Sequence, residues 1–244
     1  MLEYTKNQST AILFTEALLL YGMRYFDSHT HHRKGTVNAI VQGFDQNFPT
    51  LHSVGFHPCS QENPDYQWLE KALNHPKCLA LGEVGLDRLK EPNLEVQHII
   101  LSEQLNLANN LKKPVIFHIV RAWEEFYALQ KKKQETPWIL HGFNQPKQFQ
   151  RLLDTPVNLS IGPAALANSS MHPILLQIPL ERLLFETDDS NTTIESVYLQ
   201  FCHITGHRIE PLCQQIEQNF IAIFIPIWVS ILRKTCRTRQ TFPR

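Results

Sequence analysis

With 244 residues, 43% of them hydrophobic, the chain can bury a sizeable core and is too apolar for a disordered protein. Its 23 Lys+Arg balance 23 Asp+Glu, yet five of the basic residues (Arg233, Lys234, Arg237, Arg239 and Arg244) crowd the end, so the body is mildly acidic and does not attract nucleic acid by charge alone. Cys59, Cys78, Cys202, Cys213 and Cys236 are odd in number, widely spaced and without a C-x-x-C pair, which excludes a disulfide framework and a thiolate metal site.

In chain order, the apolar run Ala11–Leu20 is interrupted by Glu16 and lacks a following cleavage site, so no export signal is expected. Short apolar or β-branched runs, each a predicted strand, follow at Arg24–Asp27, Ala39–Gln42, Ser53–Phe56, Leu79–Glu83, Val115–His118, Trp138–His141, Val157–Ser160 and Leu183–Glu186. Eight runs is the number a (β/α)₈ barrel of the TIM type requires. Periodic apolar spacing predicts helices at Leu94–Leu111, Ala122–Lys132, Lys147–Leu153, Met171–Gln177, Ile194–Ile204 and Pro211–Phe224. The first half is tighter: neither residues 30–36 nor residues 44–51 have room for a crossover helix, so the barrel should be thin there or the second strand misassigned. The apolar run Phe220–Leu232 is too short to span a bilayer and contains Pro226. A soluble, cytoplasmic protein without a transmembrane segment or a stable protein partner is expected.

Five of the predicted strands deliver metal-binding side chains. His29-x-His31 places two imidazoles on one side of an extended segment, because strand side chains alternate with period two. Glu83 follows Leu79–Gly82, and its two oxygens can bridge two cations; Gly82 and Gly85 would permit close approach of backbone and metal. His118 and His141 each end an apolar run, and Asp188 follows Leu183–Thr187. Taken singly, each is as well explained by a hydrogen-bonded core or surface residue. Together they place six candidate ligands on one rim of a barrel, a set suited to Zn²⁺, Mn²⁺ or Mg²⁺.

The stretches FDSHTHH from Phe26, VGFHP from Val54, GEVGLD from Gly82, PVIFH from Pro114, HGF from His141, LSIG from Leu159 and LLFETD from Leu183 occur in order. In these the chain resembles the TatD-related metal-dependent DNases within the amidohydrolase-like barrels, as a compact branch of that family. The resemblance implies a (β/α)₈ barrel and one or two divalent ions. One ion would be held by His29, His31, Glu83 and Asp188, and a second by Glu83, His118 and His141. It also implies hydrolysis of DNA phosphodiesters by an activated water, with Glu83 bridging and Asp188 as general base. His57 matches the histidine of the family's G-x-H-P turn and is a substrate or supporting candidate; Arg121 and Arg88 are candidate phosphate contacts. Two departures bear on substrate. Arg121 stands three residues after His118 instead of two, and Asp189-Ser190-Asn191 replaces the common x-P-Y after the E-T-D motif.

The family's usual start matches Met23–Asp27, so residues 1–22 read as an extension, 23–225 as the barrel and 226–244 as an apolar and basic tail. Two rival functions stand beside the DNase reading. One is hydrolysis of an amide, lactone or aminoacyl ester, since an activated water serves either electrophile. The other is a non-catalytic barrel whose tail binds a partner or a membrane surface.

Overall fold

The computed structural model describes residues 25–32, 38–43, 50–59, 63–131 and 135–225. The expected extension at 1–22 and tail at 226–244 lie outside the described residues. Eight strands form a single sheet in sequential order: β1 (Asp27–Thr30), β2 (Ala39–Gln42), β3 (His52–Val54), β4 (Cys78–Asp87), β5 (Val115–Val120), β6 (Trp138–Leu140), β7 (Asn158–Ile161) and β8 (Leu183–Phe185). Every neighbouring pair is parallel. The sheet returns on itself through a parallel bridge between Thr30 and Asp188. There the His31 N–H donates to the Asp188 carbonyl at 2.9 Å, and the Asp188 N–H donates to the His29 carbonyl at 3.0 Å. The chain thus forms the (β/α)₈ barrel, and its seam is closed by residues that carry chemistry.

Among the described residues, helices follow from the third strand onward: α1 (Tyr66–Leu73), α2 (Leu94–Leu111), α3 (Trp123–Gln130), α4 (Phe149–Leu153), α5 (Pro163–Ala167), α6 (His172–Leu175), α7 (Ile194–Thr205) and α8 (Ile209–Phe224). Their starts are written locally. Asp65 accepts the Trp68 N–H before α1, Asn93 accepts the Glu95 and Val96 N–H groups before α2, and Thr193 accepts the Ser196 N–H before α7. Gly206 ends α7 in the left-handed conformation that a helix terminus favours. The second strand is correctly placed, and the intervals between its ends and the neighbouring strands, residues 31–38 and 43–51, are too short for a crossover helix.

Several predicted boundaries need correction. The first strand lies at Asp27–Thr30 instead of Arg24–Asp27, because polar Asp27 and Ser28 are buried and paired: Ser28 Oγ donates to the Phe185 carbonyl at 2.9 Å and meets Ser160 Oγ at 2.8 Å. The fourth and fifth strands continue past Glu83 and His118 to Asp87 and Val120, so these two ligand candidates sit within strands instead of at their ends, and the shifted first strand also contains His29. The helices expected at Lys147–Leu153 and Met171–Gln177 are each a 3₁₀ turn leading into a short α-helix. Helices α1 and α5 had no predicted counterpart.

Packing holds the ligand strands in place. Ile40, Leu81, Ile116, Ile139, Leu159 and Leu184, one from each of six strands, are fully buried in one continuous core. Tyr198 of α7 fixes the entry to β1, since its hydroxyl accepts the Phe26 N–H at 3.0 Å and donates to the Phe26 carbonyl at 3.1 Å. Two buried glutamines seven residues apart on α2 act as latches. Gln104 pairs with both backbone groups of Phe56, next to His57, and Gln97 pairs with both backbone groups of Asp87. Each satisfies a donor and an acceptor that the sheet leaves open where β3 and β4 end.

Candidate metal centre

Local irregularity aims the first ligand candidates. The β1–β2 register shifts between Asp27 and Thr30, around His29, and the β4–β5 register shifts between Leu81 and Val84, around Glu83. Such bulges turn a side chain off the regular pleat. Gly85, at φ +155°, lies so near β5 that a Cβ would come 1.9 Å from the His118 carbonyl oxygen, and a Cβ on Gly82 would come 2.6 Å from Ile116 Cβ. The close approach these glycines permit is between β4 and β5.

Glu83, almost wholly buried, is the hub of two clusters. On one side, His29 Nε2 lies 3.6 Å from Glu83 Oε2 and 3.5 Å from Asp188 Oδ1, while His31 Nε2 lies 3.6 Å and 3.4 Å from the same two oxygens. These spacings exceed the roughly 2.9 Å of a good N–H···O hydrogen bond. They match the edges, about 3.3–3.6 Å, of a tetrahedron whose corners stand about 2.0–2.2 Å from a central Zn²⁺-like ion. The buried His29 ring has no hydrogen-bond partner at either nitrogen among the described residues. A divalent cation fits this donor set, because it would give His29 Nε2 the partner that the protein does not.

On the other side, Glu83 Oε1 lies 2.7 Å from His118 Nδ1 and 2.8 Å from His141 Nε2, which are 3.2 Å from each other. Both imidazoles are backed by carboxylates: Asp87 Oδ2 is 3.5 Å from His118 Nε2, and Glu186 Oε1 is 3.3 Å from His141 Nδ1. His57 Nε2 is 3.6 Å from Glu83 Oε1, and its Nδ1 accepts the Cys59 N–H at 3.2 Å. That acceptor role leaves the proton of a neutral His57 on Nε2, pointing inward. The donor atoms of His57, Glu83 and His118 also group closely enough to hold an ion, as do those of His141, Glu186 and Asp188.

The electrostatics follow from this crowding. Burial alone would raise the Glu83 carboxyl, but the surrounding imidazoles of His118, His141, His29 and His31 hold it far below the usual carboxylate range. Burial opposes charging of His29, yet Asp188 and Glu83 lift it to about 9. Burial likewise works against His141, which Glu186 and Glu83 raise well above an ordinary imidazole. Asp188 is pushed up by burial and pulled lower overall by His29.

All six candidate ligands converge on this rim. Arg88 is engaged elsewhere: its guanidinium pairs with Glu125 and donates to the Arg121 carbonyl at 2.8 Å. Arg121 is exposed just past β5, in a left-handed conformation at φ 50°. Sequence reading overlooked three carboxylates as parts of the site. Asp27 accepts the Thr187 hydroxyl at 2.6 Å and the Thr187 and His29 N–H groups at 3.1 and 3.3 Å, tying both ligand segments together. Burial pushes Asp27 up to about 7 against those hydrogen bonds. Asp87 was legible, since Glu83, Gly85 and Asp87 share a strand face at period two. Glu186 carried no such signal, as it lies beyond the end of β8.

The family model described as TatD related DNase matches residues 22–225. The chain belongs to the TatD family. A human relative, the 3′-5′ RNA nuclease TATDN2, is 36% identical over 146 residues, covering 56% of this chain but only 19% of that protein. The uncharacterized metal-dependent hydrolase YjjV of Escherichia coli is 31% identical over 214 residues, covering 76% of this chain and 81% of that protein. The crystal structure of this TatD homologue superposes with a TM-score of 0.71 at 23% identity, over 83% of this chain and 98% of that one, and shares the barrel fold. As a TatD-family member the chain is a metal-dependent hydrolase acting on ester bonds. Among its described residues no helix is long and apolar enough to cross a membrane.

Proposed function

We propose that this TatD-family hydrolase cleaves phosphodiester bonds of DNA at a two-ion centre carried by the barrel of residues 23–225. The observation that carries the reading is the division of one buried carboxylate: Glu83 Oε2 faces His29 and His31, and Glu83 Oε1 faces His118 and His141. In this reading His29, His31, Glu83 and Asp188 hold one divalent ion, and Glu83, His118 and His141 hold the other. Borderline donors of this kind suit Zn²⁺ or Mn²⁺, and the carboxylates also accept Mg²⁺.

Divalent ions held there would bring water's pKa toward neutrality and offset charge developing on phosphorus. The protein supplies the remainder. Asp188, whose side chain is 36% exposed, is open enough to take the proton of the attacking water at its carboxylate. His57 directs Nε2–H into the centre, where it donates to a phosphate oxygen. Arg121, exposed just past β5, is the candidate contact for the substrate phosphate, while Arg88 is held by Glu125 and supports the Arg121 segment.

The DNase description of the matching family supports DNA, and the RNA nuclease relative makes RNA its nearest competitor. The test is incubation of the metal-loaded full chain with single-stranded DNA, with RNA of the same sequence and with acyl esters. DNA cleavage that disappears in Glu83→Gln and Asp188→Asn is expected; turnover of acyl esters alone, or of RNA alone, would refute the assignment.

A further inference from the structure

Glu186 is 1% exposed and stands behind His141, on the side away from Glu83. Its Oε1 accepts the Gly142 N–H at 2.7 Å and faces His141 Nδ1 at 3.3 Å, while its own N–H donates to the Ile161 carbonyl at 3.2 Å. Its Oε2 is buried without a hydrogen-bond partner among the described residues. Two glycines make the seat. A Cβ on Gly162 would lie 3.3 Å from Glu186 Cγ and 3.5 Å from Oε1, and one on Gly142 would lie 3.7 Å from Oε1. The glycine of the His141-Gly142-Phe143 stretch, the glycine that follows Ile161 and the carboxylate before Thr187-Asp188 therefore form one unit in space.

The unit has a chemical consequence for His141. A neutral imidazole has one N–H and one lone pair, and a carboxylate facing Nδ1 requires the proton there. The lone pair is then on Nε2, the nitrogen 2.8 Å from Glu83 Oε1. The opposite tautomer would aim N–H at the place where an ion needs an electron pair. A carboxylate behind a ligating imidazole also makes the ring a stronger donor. The unpartnered Oε2 fits the same picture, because a cation on the far side of the ring compensates a buried carboxylate oxygen that no donor reaches.

We propose that Glu186 is the positioning residue of the second cluster: seated between Gly142 and Gly162, its carboxylate holds the Nδ1–H tautomer of His141 and so aims Nε2 at the ion shared with Glu83 and His118. This rests on the two-ion reading above and adds a residue that acts through another without touching substrate.

The experiment is Zn²⁺ titration of the full chain in the unaltered protein, Glu186→Gln and Glu186→Ala, with ¹H–¹⁵N spectra of the histidine rings in the Zn²⁺-loaded state. For Glu186→Ala the second ion should bind about 10–100-fold more weakly while the first is unchanged. The His141 Nδ1–H signal of the unaltered protein should shift or vanish. Glu186→Gln, which keeps an acceptor for the Gly142 N–H, should show a smaller loss, and it decides the matter if Glu186→Ala does not fold. Both ions bound at unaltered affinity in both variants, or both weakened in parallel, would overturn the proposal. An unaltered protein that takes up no second ion would refute the two-ion reading itself, whereas two ions insensitive to Glu186 would refute only this inference.

Discussion

The two halves of the candidate metal centre are built differently. His29, His31 and Asp188 belong to the seam that closes the barrel, where the backbone hydrogen bonds of His29, His31 and Asp188 join the first and last strands. His118 and His141 come from neighbouring strands β5 and β6, and each has a carboxylate behind its ring. The His29 ring has no such partner at Nδ1. Placement by backbone on one side and by side-chain carboxylates on the other teaches that the first half depends on closure of the fold. The second depends on individual buried charges that can be altered while the sheet stays intact.

Substitutions can break this comparison one side at a time. The largest effect is expected for Asp188→Asn, which removes a donor of the seam half and the proposed general base. Hydrolysis should fall by about 10²–10⁴-fold, while the His118–His141 half still takes up its ion in a metal titration. Asp27→Ala should come next. It leaves the Thr187 and His29 N–H groups without their side-chain acceptor, a loss of about 1–3 kcal/mol in chemical denaturation, with weaker ion binding confined to the seam half. Gln97→Ala should cost a similar or smaller amount, because it removes the partner of the Asp87 N–H and one of the donors to its carbonyl. Its effect on ion affinity should appear on the His118 side instead, read by the same titration.

Proton release sharpens the comparison further. With His29 lifted to about 9 in the metal-free protein, an ion must displace a proton from it at any lower pH. The sign is therefore fixed: affinity of the seam half should rise with pH and level off above about 9. Calorimetric titration in buffers of different ionisation enthalpy should show proton release at neutral pH, and release unaffected by His29→Gln would count against this source.

Much of this was legible in the sequence. All eight strands and all six candidate ligands stood out because apolar runs and metal-binding residue types recur together along the chain. Strand limits were less legible, since apolarity marks where a strand is buried but not where pairing ends. Polar Asp27, Ser28 and Asp87 are paired or latched inside the fold, so β1 begins among polar residues and β4 outlasts its apolar run. The short helix α5 has too few turns to show a period. Glu186 was hidden for a different reason: its partners, His141, Gly142 and Gly162, are distant in sequence and meet it only when the barrel closes.

The proposed shared role of Glu83 joins the two halves, and ion stoichiometry tests it most directly. Metal content of the purified, Zn²⁺-reconstituted full chain should be two ions per molecule, and Glu83→Gln should weaken both together, because Oε2 serves one half and Oε1 the other. A single ion in the unaltered protein, or a Glu83→Gln variant that keeps either ion at full affinity, would contradict a bridging carboxylate.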